Sequence, residues 1–129
     1  MMNRNKLFNQ IANEILANTL KNSSSQINLG SQLSNRFINR LLTVFKGLDE
    51  SERSLVKVFY KNKRNILSVE IQTAAIKITI NAKKGSIKDS KNLLRDVSKI
   101  GHWGNGDYQI RLENDTHFDD VLEMIEQIY

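Results

Sequence analysis

The stretch ILSVEIQTAAIKITI, residues 66–80, decides the fold. Leu67, Val69 and Ile71 alternate with Ser68 and Glu70, and after a polar break Ile76, Ile78 and Ile80 alternate with Lys77 and Thr79. A period of two puts all six apolar side chains on one face of an extended chain, and β-branched residues pack well on such a surface. The pattern predicts strands over residues 66–71 and 74–81, joined near Gln72-Thr73 by a two-residue link into a hairpin. A lone hairpin is marginal in water, so further strands and a cover are required.

Working outward, LVKVFY at 55–60 fits strand or helix spacing, and its β-branched and aromatic content favours strand. Downstream, Tyr108, Ile110 and Leu112 alternate with Gln109, Arg111 and Glu113, the pattern of a half-buried antiparallel strand. Helical steps of three and four appear in Leu7, Phe8, Ile11, Ile15, Leu16 and Leu20, and again in Leu33, Phe37, Ile38, Leu41, Leu42, Phe45 and Leu48. Residues 23–30 read as a linker between these two helices, and Asp49 to Glu52 as a polar turn. Asp89 is placed to cap a short helix carrying Leu93, Leu94 and Val97. A closing helix carries Phe118, Val121, Leu122, Ile125 and Ile128, with Asp115 or Thr116 as its cap and Asp119 and Asp120 where the macrodipole favours acids.

The expected architecture is α+β: a four-stranded, mainly antiparallel sheet with N-terminal helices, a short connecting helix and a C-terminal helix covering one face. Residues 1–30 form a helical arm with its linker, and 31–129 the α+β domain. Ser68, Glu70, Lys77, Thr79, Gln109 and Arg111 are expected to face away from the cover, on a second face that is either wet or a binding surface.

The 129 residues suit one core. No apolar run reaches the roughly 20 residues of a membrane span, and the first 28 residues lack the apolar centre of a signal peptide, so a cytoplasmic protein without a membrane partner is expected. With no cysteine, and two histidines fifteen residues apart, neither a disulfide framework nor a metal centre is expected, and no cofactor motif occurs. The net charge of +5 is unevenly spread. Residues 1–100 carry 18 of the 19 Lys and Arg against seven acids, whereas 101–129 carry Arg111 alone against seven acids. A basic body suits a polyanion, because each neutralised phosphate releases counterions.

The densest chemistry lies in KVFYKNKRN, residues 57–65, where Lys57, Lys61, Lys63 and Arg64 bracket Phe59 and Tyr60. Cations interleaved with aromatics hold phosphates and stack bases. Lys83, Lys84, Lys88, Lys91, Arg95 and Lys99 would extend that surface if the fold gathers them. The turn Gly101-His102-Trp103-Gly104-Asn105-Gly106-Asp107 is rich in special residues but leads into a strand, whereas phosphate-gripping glycine loops open a helix. It reads as a structural turn, with Asn105-Gly106 supplying positive φ. His102, Asp107 and His117 show no spacing that assembles an acid/base set, and Glu70-Ile71-Gln72 lacks the lysine of the strand-borne Glu-x-Lys pattern of metal-dependent nucleases. No catalytic residue is assigned.

The stretch RDVSKIGHWGNGDYQIRL, 95–112, and the ending IEQIY, 125–129, give the chain a resemblance to an uncharacterised small domain family. Its members are sometimes labelled predicted transport proteins and are often appended to the C-terminus of restriction-type endonucleases and related bacterial defence proteins. The likeness runs over about residues 33–129, from the Tyr60 strand through the glycine-tryptophan turn to Tyr129. It implies a strand at 55–60 and supplies no catalytic residues to carry over. Together these readings predict a non-catalytic accessory module of a bacterial or phage restriction or defence system that binds nucleic acid, DNA in the first instance. The alternative is a protein-interaction module that regulates or inhibits a nuclease partner. It would dock through the N-terminal helix or through the acidic closing helix with Asp119, Asp120, Glu123 and Glu126.

Overall fold

The computed structural model describes residues 25–100 and 106–129, with side-chain environments from Leu29 onward. The first predicted helix, and the part of the glycine turn from Gly101 to Asn105 that includes His102 and Trp103, lie outside these residues. The described elements are α1 (Ser25–Val44), β1 (Asp49–Arg53), β2 (Val56–Lys61), β3 (Arg64–Gln72), β4 (Ala75–Ile80), β5 (Arg95–Asp96), β6 (Tyr108–Leu112) and α2 (Phe118–Glu126). The six strands form one sheet in the order β1-β2-β3-β4-β6-β5, with every neighbouring pair antiparallel.

The hairpin read from residues 66–80 is the centre of this sheet. Leu67 opposes Ile80, Val69 opposes Ile78 and Ile71 opposes Ile76, while Ile78 and Ile76 oppose Ile110 and Leu112 on the other side. The link is Thr73-Ala74, one residue later than expected, with Ala74 in the left-handed region at φ 61°. The other two hairpins also close with two residues. Asn62 and Lys63 both have positive φ, as a type I′ turn demands, which carries Lys63 to the tip. Phe59 joins the apolar face from β2, and a register shift between Phe59 and Tyr60 marks a bulge there.

Both described helices contribute to this core. Leu33, Phe37, Ile38, Leu41 and Phe45 form the buried stripe of α1 and its exit, and Phe118, Val121, Leu122, Met124 and Ile125 that of α2. The Phe37 and Phe118 rings meet edge-to-face at 5.2 Å, which locks the two helices to each other as well as to the strands. Tyr129 closes the end of the molecule. Its ring packs on Phe45 at 4.7 Å and its hydroxyl accepts the Gly47 N–H at 2.9 Å.

Five expectations are corrected. The sheet has six strands, not four. Asp49 to Arg53 is an edge strand rather than a turn: nothing in DESER favours strand, and the ladder offered by β2 imposes the extended form. Its five exposed, mostly charged residues also guard a sheet edge against association. The helix expected after Asp89 is absent. Asp89 does accept backbone N–H groups, from Leu93 at 2.9 Å and Leu94 at 2.8 Å, but Asn92 turns left-handed at φ 53° and directs the chain into β5. Residues 25–30, read as linker, are the first turns of α1. The closing helix is capped one residue later than expected, at His117, which makes no side-chain cap bond; the Asn114 Oδ1 instead accepts the Thr116 N–H at 3.0 Å.

Two glycines are required by close approach. A Cβ on Gly30 would stand 2.0 Å from the Gln72 carbonyl oxygen, so its absence lets α1 sit on the β3–β4 turn. One on Gly106, at φ 117°, would stand 2.1 Å from the Ile80 oxygen. Gly85, at φ 86°, has nothing within 4 Å. Gly30→Ala is therefore expected to lose about 2 kcal/mol despite the better helix propensity of alanine, because backbone must move. Gly106→Ala should cost at least as much, and Gly85→Ala only about 1 kcal/mol of backbone strain. Urea denaturation of the three variants checks this order.

Candidate nucleic-acid interface

Strand register decides where the predicted cations go. Asn65 opposes Tyr60, Leu67 opposes Ile80, and Ile80 and Asp96 both oppose Tyr108. The β2–β3 tip, the exit of β4 and the exit of β5 therefore lie at one end of the sheet. This end gathers Lys61, Lys63, Arg64, Lys83, Lys84 and Lys99 from three segments of chain. Gly106 and Asp107 join them: the Asp107 N–H donates to the Ala82 carbonyl at 3.0 Å, its carbonyl accepts the Val97 N–H at 2.7 Å, and its Oδ2 accepts the Lys84 N–H at 2.7 Å. The described end of the glycine turn thus ties β4, β5 and β6 together, as a scaffold does.

The gathered cations are not equivalent. Lys61 Nζ donates to the Tyr129 carbonyl at 3.0 Å and sits 3.6 Å from the centre of its ring, and Arg64 Nη2 donates to the Ile128 carbonyl at 2.7 Å. Both follow the end of α2, where orphan carbonyls and the negative end of the macrodipole favour positive charge. Lys84 pairs with Asp96 at 3.1 Å. Lys63, Lys83 and Lys99 have no side-chain partner among the described residues.

Of the remaining predicted residues, Tyr60 lies at this end within the sheet, and Lys57, Lys88 and Lys91 lie elsewhere. Lys57 pairs with Glu50 of the edge strand at 3.7 Å, and Tyr60 is half-buried beside the bulge. Lys88 exchanges two backbone bonds with the Gln127 amide, at 2.7 and 2.9 Å, and Lys91 pairs with Asp120 at 2.8 Å, so both belong to the flank of α2. Asp120 also holds His117 Nδ1 at 3.0 Å; the Lys91 ammonium, and after it His117, lower the Asp120 pKa. Arg40 pairs with Asp119 and Arg36 with Asp115 at 3.5 Å. The acids of the closing helix proposed for partner docking are thus in part engaged within the chain: Asp119 and Asp120 are paired and Glu123 also acts on the Lys91 ammonium, leaving Glu126 without a side-chain partner among the described residues. No group of three His, Cys, Asp or Glu suited to a metal occurs among the described residues, and no described helix is long and apolar enough to cross a membrane.

A second positive site was not legible as a cluster. Gln72, Lys77, Gln109 and Arg111, polar alternates of β3, β4 and β6, line a groove of about 500 Å³ together with Leu93, Ile110 and, from β5, Arg95. Of these, only Arg95 belongs to the basic residues expected from the sequence to bind. The sequence signal for Lys77 and Arg111 is their place as polar alternates, which gives a face but not a concavity.

In comparisons with known proteins, an uncharacterized protein of Haemophilus influenzae is 41% identical to this chain over 70 residues, 54% of this chain and 23% of that protein. The chain thus matches less than a quarter of the length of the relative. No protein-family model and no solved structure matches the chain.

Two outcomes follow from the bonding pattern. Lys61→Ala and Arg64→Ala should each cost about 0.5–1 kcal/mol of stability, since each removes a cation from a helix C-terminus, whereas Lys63→Ala should cost nothing measurable by thermal melting. Asp96 is held at about 2 instead of 3.8, first by bonds from Ser98 and then by Lys84. Its pairing is fully present above pH 3.8 and is lost as pH falls through about 2, so a carboxyl NMR titration should show that midpoint and Ser98→Ala should raise it.

Proposed function

We propose that this chain is a non-catalytic nucleic-acid-binding accessory module of a bacterial or phage restriction or defence system. The observation that carries the reading is the convergence of the β2–β3 tip with the β4 and β5 exits, which sets Lys63, Lys83 and Lys99 on one end of the sheet with no internal partner among the described residues. A type I′ turn, a strand exit and a loop hold these ammonium groups on a rigid body while leaving them in water, the arrangement that phosphate contacts require. Lys61 and Arg64 serve the reading differently from the expectation, by fixing the tip to α2 so that Lys63 projects from a defined place. The accessory character is supported by the relative, in which the matching 70 residues make up 23% of a longer chain. The link to restriction and defence rests on the family resemblance of the glycine-tryptophan turn.

Three phosphate contacts predict a loss of about 40-fold in affinity for a short DNA duplex between 50 and 200 mM salt. Fluorescence anisotropy across that range checks it. The Lys63→Ala, Lys83→Ala, Lys99→Ala triple variant should bind weakly with a nearly flat salt dependence and an unchanged melting temperature. Salt-independent binding by the unaltered chain would defeat the reading.

A further inference from the structure

The groove on the second sheet face has an order that the basic end lacks. Lys77 pairs with Glu70 at 3.3 Å, Gln72 Nε2 donates to the same carboxylate at 3.2 Å, and Arg111 Nε donates to Gln72 Oε1 at 3.2 Å. Arg111 Nη1 also pairs with Glu113. This chain of bonds across β3, β4 and β6 holds one guanidinium in place and engages Nε and Nη1, with no bond from Nη2. Gln109 lies two residues before Arg111 on the same strand face, about 7 Å along it. Arg95 opposes Gln109 across the β5–β6 ladder, about 5 Å away. Neither Gln109 nor Arg95 has a side-chain partner among the described residues. An oriented guanidinium, an unpartnered amide and an unpaired guanidinium thus stand side by side on the floor of one groove.

We propose that this groove binds a phosphate monoester, with Arg95, Gln109 and Arg111 donating to its terminal oxygens. Three donor side chains along one face outnumber the two oxygens of a carboxylate and match the three terminal oxygens of a monoester. Arg95 supplies the net charge, because the carboxylates Glu70 and Glu113 already balance Lys77 and Arg111. A volume of about 500 Å³ exceeds what phosphate itself fills and lies in the range of small-ligand sites, with Leu93 as an apolar wall for the group that carries the phosphate. Two sources share this chemistry, a free nucleotide and the 5′-phosphate end of a nucleic-acid strand. The site shares no residue with Lys63, Lys83 and Lys99, so it stands or falls separately from the duplex-binding reading.

The test uses the full ¹⁵N-labelled chain, titrated with adenosine 5′-monophosphate and, in parallel, with adenosine. The nucleotide should shift the amide signals of Arg95, Gln109 and Arg111 saturably, and adenosine should not. Arg95→Ala, on an exposed two-residue edge strand, should weaken binding about tenfold, the effect of losing one charge-assisted contact, without changing the melting temperature. Gln109→Leu should weaken it as well, and the Lys63, Lys83, Lys99 triple variant should bind the nucleotide as tightly as the unaltered chain. Anisotropy with one oligonucleotide, with and without its 5′-phosphate, separates the sources. A phosphate-dependent gain that Arg95→Ala removes points to a strand end, and nucleotide binding without such a gain points to the free nucleotide. No saturable shift at millimolar nucleotide, equal shifts with adenosine, or unchanged affinity in both Arg95→Ala and Gln109→Leu would overturn the proposal.

Discussion

The structure depends on the isoleucine ladder of β4. Ile76, Ile78 and Ile80 are fully buried between β3 and β6, and every other part of the core is arranged around them. Burial of each such side chain contributes about 2 kcal/mol, but only if a helix lies flat on the strands to exclude water. Gly30 makes that possible at one end, because the α1 backbone passes where a Cβ would strike the β3–β4 turn. Phe37 and Phe118 make it possible at the centre, where a single edge-to-face contact serves both helices and the sheet.

The same constraint sorts the charges. Once α2 is packed on the sheet, the carbonyls of Ile128 and Tyr129 that follow its last turn meet the β2–β3 tip. Lys61 and Arg64 are drawn there, away from any external phosphate. Lys91 and Arg40 are drawn to the first turn of α2 by Asp120 and Asp119, acids that also favour that helix end. The described cations of residues 1–100 are thereby divided into those that hold the fold and those that remain outward. Of the outward ones among the described residues, Lys63, Lys83 and Lys99 occupy one sheet end and Arg95 a groove on the second face, while Lys46, Arg53 and the Lys88 ammonium stand apart from both sites.

Much of this was readable from the chain. The strands at 64–72, 75–80 and 108–112 and both described helices follow from periodicity, because burial on one side of an element leaves a repeat in the residues, and the strand at 56–61 follows from its β-branched and aromatic content. The elements that escaped are those whose form is imposed from outside. β1 is extended because β2 offers it hydrogen bonds, and β5 because Asn92 breaks the turn that Asp89 begins. The candidate site was legible as residue types and not as places: Lys57, Lys88 and Lys91 carry the right chemistry and sit elsewhere, while Lys77, Gln109 and Arg111 looked like ordinary polar alternates.

By itself the sequence determined the α+β class, the central hairpin, the apolar stripes of α1 and α2 and the uneven distribution of charge, all of which are properties of short windows. Only the tertiary structure decided which lysines and arginines are partnered, which meet at one end of the sheet, and which share a groove. Those outcomes depend on strand register and on where helix termini fall, and they join residues as far apart as Lys61 and Tyr129, a separation over which no local pattern carries information.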